Sequence, residues 1–235
     1  NTTGTARSLA VSGHYAFLAN DGAGLQVVDV SKPSEPRWVG GNDGRGNARG
    51  VAIAGNFAYV ADEEAGLEVI DITNRDEPRR VGQYDLAGNA IGVAISGTRA
   101  YVAYGTNGFH VVDISNPAKP VRAGGHDSSA NCLAVAVSGH RVFVGHQNAP
   151  LNVIDASNAA NPRLLAGIDA GHVMSVAPSG NLAYIADLNA GLHIVDMRDP
   201  AKPSRVSYSE WTISFEKQSD GSYLVAGLSK KPLEF

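Results

Sequence analysis

At 235 residues, 43% hydrophobic and 18% charged, the chain has the length and composition of one large globular domain or two small ones, and ample sequence to bury a core. A formal charge of -4 without any stripe of Lys and Arg interleaved with aromatics excludes a nucleic-acid surface, no apolar run approaches a membrane span, and a lone cysteine, Cys132, excludes an internal disulfide framework. The 27 glycines and 11 prolines favour many short strands joined by tight turns, and a start at Asn1 rather than Met reads as a processed or trimmed product.

The first unit, residues 5–46, carries a turn glycine at Gly13, an aromatic at Phe17 and an apolar run closed by Asp29. The second, 47–88, repeats these as Gly55, Tyr59 and Asp71, and reads as four strands at 49–55, 57–62, 66–72 and 78–84. The third, 89–130, has Gly97, Tyr101 and Asp113; the fourth, 131–171, has Gly139, Phe143 and Asp155; the fifth, 172–212, has Gly180, Tyr184 and Asp196. Every marker recurs at spacings of 42, 42, 42 and 41 residues. Short strands between regular turn signals indicate an all-β repeat, and four strands in about 40–45 residues is the size of one propeller blade. No segment shows the period of about 3.6 residues that a helical repeat requires.

The tail continues the series. Gly221 lies 41 residues after Gly180, 222–226 matches the earlier second strands, and 232–235 matches 150–153 at the start of a third strand. A divergent first strand is placed at 211–216, which makes about 213–235 a partial sixth unit. The expected fold is therefore a single all-β domain over 1–235, a β-propeller of four-stranded blades with six blades, the last incomplete. Five blades plus terminal strands, or a piece of a longer propeller, are the alternatives.

The segments GLQVVDVSKPSEP (24–36), GLEVIDITNRDEP (66–78), GFHVVDISNPAKP (108–120) and GLHIVDMRDPAKP (191–203) resemble the LVIVD-repeat family, well over 5–206 and weakly over 207–235. The resemblance implies a bacterial or archaeal propeller, often extracytoplasmic, with a loose role in binding or surface interaction. It brings no catalytic motif and names no cofactor.

The Asp29 series, followed by Ser or Thr and then Pro, reads as turn chemistry, because short polar side chains bond nearby backbone and Pro stops a strand. In a propeller the first strand of each blade lines the channel, and the loop entering it shares a face with the loop between strands two and three. Three rings fall on that face. Asp43, Asp85, Asp127, Asp169 and Glu210 form a carboxylate rim that suits a hard cation, a cationic ligand or the capping of each loop. Asn47, Asn89 and Asn131, with Thr5 and His172, offer donors and acceptors to a polar ligand or close their own loops. Asn20, Asp62, Tyr104, His146 and Asp187 break the repeat by residue type, and with His126, Asp127, Cys132 and His172 nearby they concentrate titratable groups on units three to five. Arg45 and Arg49 suit an anion, or pair with Asp43 or Asp85.

GxSxG, HExxH and zinc spacings are absent from the sequence, and GRGNARG (44–50) lacks the Lys of a phosphate loop. Two functional readings follow. The first is a binding or interaction module, monomeric and extracytoplasmic, taking a small polar ligand or a protein partner at the channel mouth through Asn47, Asn89, Asn131, Arg49, His126, Asp62 and Asp187. The second is an enzyme of hydrolase, lyase or cyclase type, with His146, His172, Asp127 and Tyr104 as acid–base groups and Cys132 as a nucleophile beside His126 or His172.

Overall fold

The computed structural model describes residues 4–85, 88–128, 130–209, 211–217 and 223–230, with side chains as far as residue 206. Blade 1 is a four-stranded antiparallel meander of β1 (Ser8–Ser12), β2 (Tyr15–Ala19), β3 (Leu25–Asp29) and β4 (Arg37–Asn42). Blade 2 repeats it with β5 (Gly50–Ala54), β6 (Phe57–Ala61), β7 (Leu67–Asp71) and β8 (Arg79–Tyr84), and blade 3 with β9 (Gly92–Ser96), β10 (Arg99–Ala103), β11 (Phe109–Asp113) and β12 (Val121–His126). Blade 4 comprises β13 (Cys132–Ser138), β14 (Arg141–His146), β15 (Leu151–Asp155) and β16 (Arg163–Ile168); blade 5 comprises β17 (Val173–Ser179), β18 (Leu182–Asp187), β19 (Gly191–Asp196) and β20 (Ser204–Ser209). A two-stranded sheet of β21 (Trp211–Lys217) and β22 (Tyr223–Lys230) follows. The described residues thus hold five full four-stranded blades, against the six read from the repeat; the two-stranded sheet covers the stretch assigned to the start of the sixth unit, and the third strand placed at 232–235 lies outside the described residues.

Turn chemistry recurs blade by blade. Gly13, Gly55, Gly97, Gly139 and Gly180 all have φ between 57° and 61° and open the two-residue turn between the first two strands. A positive φ at that position matches the right-handed twist of the flanking strands. The Asp29 series does what its pattern suggests: the Oδ1 atoms of Asp29, Asp71, Asp113, Asp155 and Asp196 accept the backbone N–H two residues on at 2.8–2.9 Å.

The core lies between blades rather than within one. Phe17, Ala19, Leu25 and Val27 of blade 1 pack on Ala58, Val60, Ile70 and Ile72 of blade 2, and equivalent clusters fill the next three interfaces. Inner blades therefore bury both faces, which is why β6, β7, β10 and β11 read as almost continuous apolar runs. The two outermost faces are less covered. Leu9 and Val11 of β1 are more than 60% exposed where Val51 of β5 is 6% exposed, and Leu192 of β19 is 37% exposed where Leu25, Leu67 and Leu151 are fully buried. Those are the faces a further blade would cover.

Each fourth strand carries a bulge opposite the third, as between Val111 and Val112. Beside it Gly40, Gly82 and Gly124 press against the loop of the next blade: a Cβ there would meet Asp76 O, Pro117 O and Ala159 O at 2.5, 2.0 and 1.9 Å.

Candidate functional site

The loop between strands two and three meets the loop entering the next blade through single antiparallel bridges: Asp21 with Ala48, Glu63 with Ala90, Gly105 with Cys132 and Gln147 with His172. These stitches draw the heads of the five first strands around a common opening. Arg7, Arg49, Ile91, Leu133 and Met174 occupy the same repeat position there, and with Gln147 and His172 they line a cavity of about 310 Å³. The polar residues Arg7 and Arg49 come from consecutive blades, as do the apolar Ile91, Leu133 and Met174, so the rim has one cationic arc and one apolar arc.

The guanidinium groups are oriented from behind. Arg7 Nε lies 2.8 Å from Asp21 Oδ1 and Arg49 Nε lies 2.9 Å from Glu63 Oε1, with Arg49 Nη1 3.9 Å from Asp21. Arg49 thus pairs with Glu63 and Asp21, not with Asp43 or Asp85. Arg45 sits away from this network, its Nη1 3.3 Å from Gln83 Oε1.

The remaining sequence-selected residues separate into lining, loop-closing and solvent-facing groups. Asn47 Nδ2 donates to Glu63 Oε2 and Asn131 Nδ2 to Gln147 Oε1, at 2.9 and 3.0 Å. At the equivalent step Asn89 faces Gly105 and His172 neighbours Leu188, and among the described residues neither side chain has a hydrogen bond; His172 lines the cavity. Asp43, Asp85, Asp127 and Asp169 are exposed, Asp127 with its carboxylate 3.9 Å from Arg122. Among the described residues no three His, Cys, Asp or Glu side chains converge to hold a metal, and Glu210 lies outside those residues. His126 is half-buried at the end of β12, opposite Phe109.

The symmetry-broken ring is buried instead of standing at loop tips: Asn20, Asp62 and Tyr104 are fully enclosed, His146 is 2% exposed and Asp187 6%. Its members brace local backbone. Asp62 Oδ2 accepts the N–H groups of Arg45 and Gly46 at 2.8 and 2.9 Å, so the glycine-rich 44–50 loop cradles the chain's own carboxylate. Asp187 accepts from Gly171, Asn189 and Ala190. Tyr104 donates its hydroxyl to Tyr84 O at 3.1 Å, and His146 donates Nδ1–H to Pro150 O at 2.8 Å. No hydrogen bond joins His146, His172, Asp127 and Tyr104 to one another among the described residues. Cys132 is buried, which pushes its thiol up to about 11, far from a thiolate nucleophile.

Two features were missed by sequence reasoning. One is the mouth position itself, Arg7–Arg49–Ile91–Leu133–Met174, whose signal was a change of chemistry at fixed spacing. The other is the polar residue inside each apolar third strand: Gln26, Glu68, His110, Asn152 and His193. Glu68, His110 and His193 stand against members of the buried ring, Asp62, Tyr104 and Asp187. His110 stacks on Tyr104 with centroids 4.7 Å apart and has Nδ1 3.3 Å from the Tyr84 hydroxyl; His193 Nε2 lies 3.4 Å from Asp187 Oδ2; Glu68 pairs with Arg80 at 3.1 Å. Burial, with Asp62 beside it, holds the Glu68 carboxyl above its ordinary value against the pull of Arg80.

Burial also lowers His110 to about 4, with Arg122 acting in the same direction, and lowers His146. The unfolded chain takes up these protons near pH 6.5 and the folded chain does not, so stability is fully present above about pH 6.5 and falls as pH drops toward 4. The five Asx-turn carboxyls are held below the ordinary value, by the backbone N–H first at Asp29, Asp113 and Asp155 and by the side chain two residues on first at Asp71 and Asp196. Their contribution is present above about pH 4 and is lost below it. Urea midpoints measured from pH 7 to pH 3 are expected to fall in two stages, and His110→Gln to flatten the upper one.

A family model described as LVIVD repeat matches residues 3–43, 45–86, 87–127, 131–169 and 170–208. No curated protein matches the chain. Among solved structures, a functionally unknown protein from Desulfotomaculum acetoxidans superposes with a TM-score of 0.71 at 13% identity, covering 97% of this chain and 87% of that one. The Cps50 (Swd1) β-propeller domain of Myceliophteria thermophila gives 0.70 at 14% identity, covering 88% and 72%. The computationally designed Ika8 protein gives 0.62 at 11% identity, covering 89% and 75%. At such identities the likeness is one of fold alone.

Proposed function

The chain belongs to the LVIVD-repeat family, and from that premise we propose that it is a binding module whose ligand enters at the mouth of the central channel. The observation that carries this reading is the cavity of about 310 Å³ where the heads of five first strands converge, with charged and apolar side chains together on its wall. Concave sites with mostly apolar walls and a few convergent polar groups are where folded proteins take small ligands. Loops stitched by paired backbone hydrogen bonds, such as Asp21 with Ala48 and Glu63 with Ala90 at 3.0–3.1 Å, hold that wall in place before a ligand arrives.

The residues proposed for contact are Arg7, Arg49, Ile91, Leu133, Gln147, His172 and Met174, with Asn89 on the rim. The acid–base alternative has less to support it, since His146 is buried against Pro150 and, among the described residues, no carboxylate is hydrogen-bonded to the His172 imidazole, Asp187 meeting only its backbone N–H. We also place the protein outside the cytoplasm as a monomer, the location resting on the family resemblance; cell fractionation and sedimentation check both.

A fragment library screened by amide NMR tests the proposal. Hits are expected to shift resonances of residues 5–8, 47–50, 89–92, 131–134 and 172–175. Hits confined to the opposite face of the blades, or none at all, overturn it.

A further inference from the structure

We infer that the ligand of this mouth is an amphiphilic carboxylate, with its anionic head on Arg7 and Arg49 and its apolar body on Ile91, Leu133 and Met174. The inference rests on the reading of the mouth as the binding face and deepens it by naming the chemistry.

Segregation around the rim is the first support. The buried ring of Asn20, Asp62, Tyr104, His146 and Asp187 varies in type with no order around the blades while it braces backbone. The mouth position instead reads Arg, Arg, Ile, Leu, Met in blade order, with the two charges adjacent and the three apolar side chains adjacent. Met174 is 52% exposed, an apolar side chain kept in water at the cavity wall.

The second support is the way the guanidiniums are held. The two short ion pairs run through Nε, to Asp21 and to Glu63, with Arg49 Nη1 a further 3.9 Å contact to Asp21, and neither carboxylate is part of the cavity lining. The terminal nitrogens of Arg7 have no other partner among the described residues, so a pair of N–H donors faces the opening, the geometry that suits a planar carboxylate. Two guanidiniums backed by two carboxylates carry no net charge together, which disfavours a phosphate dianion more strongly than a monoanion held by directed N–H donors.

The third support is the space beneath. The mouth continues into a cavity of about 240 Å³ whose wall includes the next residue of each first strand, Ser8, Gly50, Gly92, Ala134 and Ser175, and one residue further Val93, Val135 and Val176. The five small residues leave room at the neck for an unbranched chain, and the valines give it an apolar wall. A Cβ on Gly50 would already stand 3.0 Å from Ile91 O, which shows how closely the first strands converge there.

A free carboxylic acid and the C-terminus of a peptide ending in an apolar residue share this chemistry. Calorimetry and amide NMR with hexanoate, hexanamide, hexylammonium and hexyl phosphate on the intact chain test it, with a pentapeptide ending in Leu, carboxylate or amidated, to separate the two sources. Hexanoate or the free-acid peptide is expected to bind at least tenfold more tightly than its amide and to shift residues 49 and 133. Arg49→Lys and Leu133→Ser, checked for an unchanged melting curve, are each expected to weaken it severalfold. Amide, ammonium or phosphate binding as well as carboxylate at the mouth overturns the ligand chemistry and leaves the mouth as the binding face. Absence of mouth shifts with every probe, together with fragment hits elsewhere, overturns the underlying reading itself. If either variant misfolds, the carboxylate-to-amide ratio on the unmodified chain still decides.

Discussion

Gly124→Ala is expected to destabilise the protein by about 3 kcal/mol and to lower its melting temperature by roughly 10 °C. The added Cβ would sit 1.9 Å from Ala159 O, a backbone atom in the loop of blade 4, so no side chain can swing aside. Relief requires blade 3 to move off blade 4, and the interface between them is the packed cluster of Tyr101, Phe109, Val111, Val142 and Ile154. Close-packed interiors transmit such a shift as lost contacts along the whole face. Blade 4 carries Ala166 at the same place, paired with Val153 as Gly124 is with Val111, so Ala166→Gly is the matched control and is expected to change the melt by far less. A Gly124→Ala variant that melts within about 2 °C of the parent would show that the blade contact yields easily.

Tyr104→Ala is expected to cost about 4 kcal/mol, the range for emptying a buried aromatic site. Its ring is fully buried, stacks on His110 and meets Tyr84 edge to face with centroids 6.2 Å apart. Its hydroxyl holds the Tyr84 carbonyl, just ahead of the loop that enters blade 3. Tyr104→Phe keeps the packing and loses that bond, for about 1 kcal/mol. Chemical denaturation of the two variants side by side separates packing from hydrogen bonding. Equal losses in both would mean that the hydroxyl carries most of the contribution. The same pair bears on the acid–base reading: a brace for the loop predicts Tyr104→Phe to leave ligand shifts at the mouth in place.

Much of the architecture could be read residue by residue. Gly13 and its four equivalents sit at a turn that needs a positive φ, and the Asp29 series bonds backbone two residues away. Both are local requirements, so they recur in sequence wherever the turn recurs. The interblade glycines were harder. Gly82 and Gly124 look like ordinary strand glycines, and their reason lies in the loop of the next blade, 35 residues on at Pro117 and Ala159.

The ring of Asn20, Asp62, Tyr104, His146 and Asp187 shows the same divide from the other side. Polar residues beside Gly-rich turns read as exposed loop tips. In the folded chain the neighbouring loop closes over them, and Asp62 becomes the anchor of residues 45 and 46. Their variety of type reflects different ways of bonding local backbone: an acceptor for N–H groups at Asp62 and Asp187, a donor to carbonyls at Tyr104 and His146.

By itself the sequence determined the period, the four-stranded unit and the turns, because each depends on conformational preferences and hydrogen bonds within a few residues. The tertiary structure decided which polar side chains are buried and which face the channel. Arg7, Arg49, Ile91, Leu133 and Met174 are about forty residues apart in the chain, and only the radial packing of blades, driven by burial of the faces between them, gathers them at one mouth.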